Sequence, residues 1–111
     1  MEWSFTDEHN ELRRTVKRFV DEELRPVADE IDEKHEIPES IIETMAELGF
    51  LGVVIPSEYD GVDMGETGYA ILLEEVSRAC ASTATFIGAH QSIGAMAILL
   101  AGDEEQKKKY L

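Results

Sequence analysis

The stretch from Ala79 to Gly102 contains no aspartate, glutamate, lysine or arginine, although 31% of the chain is charged. A helix without a charged face must be covered either by protein or by lipid. Lipid would penalise its polar side chains, which are Ser82, Thr83, Thr85, His90, Gln91 and Ser92. We therefore predict a buried helix, capped by Ser82 or Thr83 and running to Leu100, rather than a membrane span.

A second constraint is the apolar connector from Leu48 to Gly61. Gly49 suits the left-handed position that follows a helix, Phe50–Ile55 is apolar, and Pro56 ends regular structure. Such a segment cannot simply lie in water, so we predict that it threads between two helical layers. The alternative is a short buried strand, for which the rest of the chain offers no partner strand.

Helical periodicity predicts three amphipathic helices before this connector. The first, capped by Thr6, is expected to end near Glu23. Pro26 and Pro38 suit the first turns of the second and third helices, and Gly49 closes the third.

After the connector, a fourth helix is predicted over Gly65–Arg78, before the uncharged fifth helix. A sixth begins at Asp103 and shows no stop signal, so the chain looks like the front of a longer protein. The predicted fold is all-α, a single domain over residues 1–111. It is an orthogonal helical bundle of about six helices with a central apolar fifth helix and a truncated last helix.

The charge of the chain excludes some classes of partner. The formal net charge is −14, from 24 acidic against 10 basic residues, and such a surface repels phosphate backbones and anionic lipid. Solubility, or a salty cytoplasm, is the simpler reason for the acidity. Cys80 is the only cysteine, which excludes a disulfide framework and a thiolate metal cluster. The start, Met1–Ser4, does not have the pattern of a signal peptide, so we expect a reducing, cytoplasmic location.

Common catalytic motifs are absent from the sequence, which has no glycine-rich phosphate loop, no zinc-protease motif and no nucleophile elbow. His9, His35 and His90 are dispersed, so no metal site is predicted. Glu74 and Glu75 are adjacent, point in different directions on a helix, and are expected to be solvated. His90 is the only ionisable group in the uncharged helix, and a hydrogen-bonded core histidine is favoured over a ligand contact.

A set of short motifs nevertheless occurs in the order found in one enzyme family. They are Phe5–Glu8, Arg25–Ala28, Glu47–Gly52, Ile55–Gly61, Glu74–Arg78, Cys80–Thr83 and Gly102–Leu111. Each is weak alone, but together they resemble the acyl-CoA dehydrogenase family over essentially the whole chain.

The resemblance implies that this chain is the N-terminal helical domain of a longer FAD-dependent enzyme that oxidises acyl-CoA thioesters between the α and β carbons. It places most FAD contacts in a following β-domain and the glutamate base in a C-terminal helical domain. No catalytic residue is therefore assigned to this chain, and the fragment alone is expected to be inactive. The resemblance also implies a homotetramer and electron-transfer flavoprotein as the partner that accepts electrons.

Two binding regions follow from the same resemblance. The acyl-chain cavity would be lined by Thr85, Phe86, Ala89, His90 and Ile93. A pocket for the recognition loop of electron-transfer flavoprotein would be lined by Leu12, Val16, Phe50, Val62, Met64 and Leu72. Ordinary core packing is the alternative for each of these residues. Asp60–Asp63 departs from the family, where relatives often have paired glycines, and this leaves the rim of the pocket open.

Two other functions remain open from the sequence alone. One is a domain of an acyl-CoA oxidase or a flavin monooxygenase of the same fold, which would pass electrons to oxygen. The other is a stand-alone helical interaction module that never binds flavin.

Overall fold

The computed structural model describes residues 4–111, and these residues form helices and turns without a strand. The predicted all-α class is confirmed. Residues 1–3, which carry part of the signal-peptide prediction, lie outside the described part of the chain. The α-helices are α1 Asp7–Phe19, α2 Ala28–Lys34, α3 Glu39–Glu47, α4 Gly65–Ser77, α5 Ala81–Gly88, α6 Met96–Ala101 and α7 Glu104–Tyr110.

The chain from α1 to α2 is one continuous helical path rather than two helices with a break near Glu23. A π-helical turn, Val20–Leu24, and a 3₁₀ turn, Arg25–Val27, join the two α-helices. Pro26 has no N–H, and its ring would clash with the carbonyl four residues earlier in a regular α-helix. The wider turn before it relieves that clash, and the Arg25 N–H bonds the Val20 carbonyl instead.

The ends of the helices follow their capping residues. Thr6 caps α1, and its side chain and the ring of His9 each accept a backbone N–H from the other residue. Gly49 follows α3 with φ of +82°, the left-handed conformation predicted for it. Asp103 caps α7 in the same reciprocal way with Gln106.

The connector passes through the core as a series of tight turns. Phe50, Val53 and Ile55 are almost fully buried, and the Phe50 ring meets the Phe19 ring edge-on at 5.5 Å between centroids. The buried passage is confirmed, and the strand alternative is wrong for residues 50–55. Three buried or partly buried carbonyls of the connector accept hydrogen bonds from the segment that follows it. The N–H groups of residues 62, 63 and 64 donate to the carbonyls of residues 52, 55 and 53, respectively, at 2.9–3.0 Å.

α1 packs directly against α4, and a buried ion pair crosses this interface. Only 3% of the Glu75 side chain is exposed, and its Oε1 lies 2.5 Å from Nη1 of Arg13. Nε of Arg78 lies 3.7 Å from the other oxygen of Glu75. The expectation that both glutamates are solvated is therefore wrong for Glu75, because a step of one residue turns the side chain from the solvent side of α4 towards α1. Glu74 remains half exposed.

The uncharged helix is observed as one run of 21 residues, in which a π-helical segment, Ala89–Ala95, joins α5 to α6. Its inner face buries Thr83, Ile87 and Gln91, but its outer face leaves Ile93 73% exposed. The predicted central position is therefore wrong for the part of the chain described, since neighbouring helices cover only one side. By length and composition alone this helix could cross a membrane, and 11% of its most apolar window is buried.

α7 is attached to the connector through a side-chain contact. The Tyr59 hydroxyl donates to the carboxylate of Glu104, with O–O distances of 2.9 and 3.0 Å. This bond to a negative acceptor raises the pKa of Tyr59 to about 12. The contact fixes the start of α7 next to the 3₁₀ turn Ser57–Tyr59.

Candidate functional site

An apolar groove lies between α4 and the uncharged helix, and we call it the α4 groove. Its volume is about 520 Å³. It is lined by Leu73, Glu74, Ser77, Ala84, Thr85, Gly88, Ala89 and Ile93. Three of the predicted substrate-binding residues, Thr85, Ala89 and Ile93, meet here because a spacing of four keeps them on one side of the helix.

The other two predicted substrate-binding residues are separated from this groove. Phe86 packs against the hydrophobic core, and His90 lines a different cavity of about 510 Å³ next to the connector. Each follows a groove residue by one position, and one residue turns a helix by about 100°. His90 is exposed, so it is not the buried core histidine that the sequence favours.

The groove wall is shaped by the π-helical segment. Oγ of Ser92 donates to the Gly88 carbonyl at 2.6 Å, and the Tyr69 hydroxyl approaches the same carbonyl at 3.4 Å. Thr85 Oγ1 donates to the Ala81 carbonyl at 3.0 Å, so this hydroxyl is used within its own helix. Because Ser92 provides a donor for the Gly88 carbonyl, the helix can widen at Ala89–Ala95 while this carbonyl keeps a hydrogen-bond partner.

Gln91 is a residue that sequence reasoning did not assign to either site. It is fully buried, its Nε2 donates to the Phe50 carbonyl at 2.7 Å, and its Oε1 accepts from the Val54 N–H at 3.3 Å. Both partners belong to the connector, so one amide side chain ties the uncharged helix to it. The sequence does contain a clue to this role, which is a long amide side chain in a mostly apolar helix. A buried amide needs polar partners, so such a residue indicates a contact with a polar part of the backbone.

The polar groups of the groove are few and already engaged. The Glu74 carboxylate lies 3.2 Å from Arg78 and 3.6 Å from Arg13, and Oγ of Ser77 donates to the Glu74 carbonyl at 3.0 Å. FAD would require an array of free donors for its ring and diphosphate, and this donor set does not fit it. No cluster of three His, Cys, Asp or Glu side chains within residues 4–111 could hold a metal ion. The groove is suited to an apolar ligand chain.

The predicted pocket for electron-transfer flavoprotein is only partly a surface. Val16, Phe50 and Leu72 are at most 1% exposed and belong to the hydrophobic core, so they cannot line an open pocket in this structure. Val16 in α1 and Leu72 in α4 face the interior, and Phe50 reaches the same core from the connector. Val62 is 39% exposed, and Leu12 and Met64 are partly buried next to Gly68.

Residues 4–111 thus form an all-α domain with an apolar groove between α4 and the uncharged helix. The sequence profile described as "Acyl-CoA dehydrogenase, N-terminal domain" matches residues 6–111. The chain belongs to the acyl-CoA dehydrogenase family.

The chain is also similar to individual proteins and solved structures. The chain is 36% identical over 107 residues to a 3-(aryl)acrylate reductase of Clostridium sporogenes, covering 96% of this chain and 28% of that protein. It superposes with a TM-score of 0.94 and 32% identity on a chain of the solved electron transferring flavoprotein of Acidaminococcus fermentans, covering all of this chain and 29% of that chain. It superposes with a TM-score of 0.87 and 38% identity on an acyl-CoA dehydrogenase of Bacillus anthracis complexed with FAD, covering 97% of this chain and 18% of that one. The chain thus spans less than a third of the length of these relatives.

Proposed function

We propose that this chain acts as the N-terminal helical domain of a longer FAD-dependent acyl-CoA dehydrogenase, in which residues 1–111 form one domain. The observation that carries the proposal is the α4 groove, whose apolar lining from Thr85, Ala89 and Ile93 suits the tail of an acyl-CoA. The domain forms one wall of the acyl-chain cavity. The main flavin contacts and the glutamate that acts as the base are supplied by other parts of the enzyme. When FAD is bound elsewhere in the enzyme, it supplies the hydride acceptor for α,β-oxidation.

The substitution Ala89→Leu in the full-length enzyme tests this function. The parent enzyme should oxidise acyl-CoA thioesters with a dye as acceptor, and the variant should disfavour long acyl tails more than short ones. Each methylene excluded from an apolar wall forfeits about 0.8 kcal/mol, which is about fourfold in the specificity constant per carbon. The measurement is kcat/KM for a series of straight-chain acyl-CoAs.

The matched control is Ala97→Leu, the same change on α6 outside the groove. It should leave the chain-length profile parallel to that of the parent. Parallel profiles for Ala89→Leu as well would remove Ala89 from the cavity wall. A parent that oxidises no acyl-CoA thioester would refute the proposed function, and rapid oxygen consumption would favour the acyl-CoA oxidase alternative.

We also propose electron-transfer flavoprotein as the redox partner, with a docking patch limited to the accessible residues Leu12, Val62 and Met64. The solved structure that carries a matching chain supports this partner. Val62→Lys should slow electron transfer to the flavoprotein by about tenfold, the effect of roughly 1.4 kcal/mol of lost docking energy, and should spare turnover with a dye.

The exposed residue Ser57 offers a matched control, because Ser57→Lys adds the same charge to the connector surface outside the patch. It should change the rate with the flavoprotein by much less than Val62→Lys does. Equal losses with the dye and with the flavoprotein would mean that Val62→Lys damages the fold instead of the docking.

For the full-length protein we propose a cytoplasmic homotetramer. Cys80, the chain's single cysteine, supports the reducing location because it is a free thiol rather than part of a disulfide. Its sulfur is buried and accepts a hydrogen bond from Thr83 Oγ1 at 3.1 Å. Cell fractionation checks the location. Light scattering of the full-length enzyme checks the assembly, and a monomeric or dimeric mass would refute the tetramer.

A further inference from the structure

We propose that Gln91 is a positioning residue that sets the width of the α4 groove and so determines how sharply acyl tails are sorted by length. The substrate part of this inference rests on the proposed function. The structural part, that one buried amide holds the groove wall in place, rests on the contacts of Gln91 with the connector and of the connector with α4.

Gln91 holds the π-helical segment against the connector. The side chain is fully buried, and its amide bonds the Phe50 carbonyl at 2.7 Å and the Val54 N–H at 3.3 Å. Phe50 is buried and Val54 is partly buried, so leaving either backbone group without a hydrogen-bond partner is unfavourable. The amide therefore has one arrangement that satisfies both ends, and this arrangement specifies the distance between helix and connector.

The connector is in turn braced on the other wall of the groove. The Met64 N–H, just before α4, donates to the Val53 carbonyl at 2.9 Å. A Cβ added to Gly68 in α4 would lie 3.2 Å from Cγ1 of Val53, so the connector and α4 are already in close contact. The connector thus contacts both walls of the groove, the uncharged helix through Gln91 and α4 through Val53.

The groove residues lie on the side of the helix away from this clamp. Ala89 and Ile93 are two positions before and after Gln91 in the same π-helical segment, and a step of two places side chains on roughly opposite faces. A shift of this turn towards or away from the connector therefore moves Ala89 and Ile93 together. Gln91 is not among the described residues that line the groove, so in this proposal it acts through the position of the wall.

The test compares Gln91→Met with the parent in the full-length enzyme. Methionine keeps the length and loses both hydrogen bonds, so the wall is no longer held at one distance. We expect the ratio of kcat/KM between butyryl-CoA and dodecanoyl-CoA to move towards one by about tenfold, mainly through KM. Gln91→Asn keeps an amide but is too short to span both connector atoms, and it should give an intermediate ratio even if the methionine variant does not fold.

Ile31→Ala is the control for simple loss of stability. Ile31 is 2% exposed in α2 and is not a groove residue. It should lower the melting temperature and leave the chain-length ratio unchanged. An unchanged ratio in both Gln91 variants, or an equal change in Ile31→Ala, would overturn the proposal.

A second measurement needs no substrate and separates this inference from the proposed function. Amide hydrogen exchange at residues 89–95 should become about tenfold faster in Gln91→Met and remain at the parent rate in Ile31→Ala after correction for global stability. Unchanged exchange in Gln91→Met overturns the positioning role. If the parent accepts no acyl-CoA, the proposed function fails, while the exchange result still decides whether Gln91 holds the wall.

Discussion

Replacing Arg13 with methionine is expected to lower the free energy of unfolding by about 3 kcal/mol. The Glu75 carboxylate is 3% exposed, and within residues 4–111 the change leaves it with Arg78, at 3.7 Å, as its one charged partner. Removing one member of a buried ion pair is typically unfavourable by roughly 3–5 kcal/mol, because the other charge stays desolvated without its partner. Urea unfolding followed by circular dichroism measures the loss.

Two comparisons separate the buried pair from a general effect of charge. Arg14→Met breaks an ion pair with Glu11 in which both side chains are more than 60% exposed, and it should lower the stability far less than Arg13→Met does. The double change Arg13→Met with Glu75→Leu replaces the pair by apolar side chains and should recover most of the loss. If Arg13→Met proves no more destabilising than Arg14→Met, the pair is not buried in solution as it is in the structure.

Gly61→Ala is expected to destabilise the chain by about 3 kcal/mol or more. A Cβ at this position would fall well inside the contact distance of the carbonyl carbon and oxygen of Ile55. A flexible side chain can change its rotamer to avoid a clash, but the backbone of Ile55 cannot, so the connector itself must move. Overpacking commonly destabilises a protein by about 1–3 kcal/mol even where neighbouring side chains can adjust. The measurement is the thermal and urea midpoint of the variant.

Gly94→Ala provides the matched control. A Cβ there would meet only the Ala89 carbonyl, at an ordinary distance of 3.7 Å. Since alanine also reduces the entropy of the unfolded chain within a helical segment, this variant should be neutral or more stable by roughly 0.5–1 kcal/mol. A Gly61→Ala protein as stable as Gly94→Ala would show that the return turn is not packed against Ile55.

Local signals in the sequence were sufficient for most helix ends. Thr6, Gly49 and Asp103 act on their own neighbours, so their capping roles can be recognised without knowledge of the fold. The continuous path through Pro26 could not be recognised in this way. A proline can either begin a new helix or be accommodated by a π-helical turn, and the packing of Val20 and Leu24 in the core favours the second.

The site was predictable only in part because sequence spacing does not say which side of a helix is covered. The resemblance predicts Thr85, Phe86 and Ala89 as substrate-binding residues. Thr85 and Ala89 line the same groove, whereas Phe86, one position after Thr85, points to another side of the helix and packs against the core. Val16 and Leu72 form apolar stripes that look the same whether they face a partner or the interior. Glu75 is buried because Arg13 meets it from a position 62 residues away, and no local pattern reveals such a partner.

The α4 groove is bounded by α4 on one side and by the uncharged helix on the other, and Ile93 at its edge remains 73% exposed. An apolar ligand held only by these two walls would keep one side in water and gain only part of its transfer free energy. Any segment that closes the third side would strengthen the binding of that ligand. By thermodynamic reciprocity, the ligand must then strengthen the closure by the same factor. Under the proposed function, a longer acyl tail would therefore bind more tightly and would also hold the domain more firmly to the segment that closes the third side of the groove.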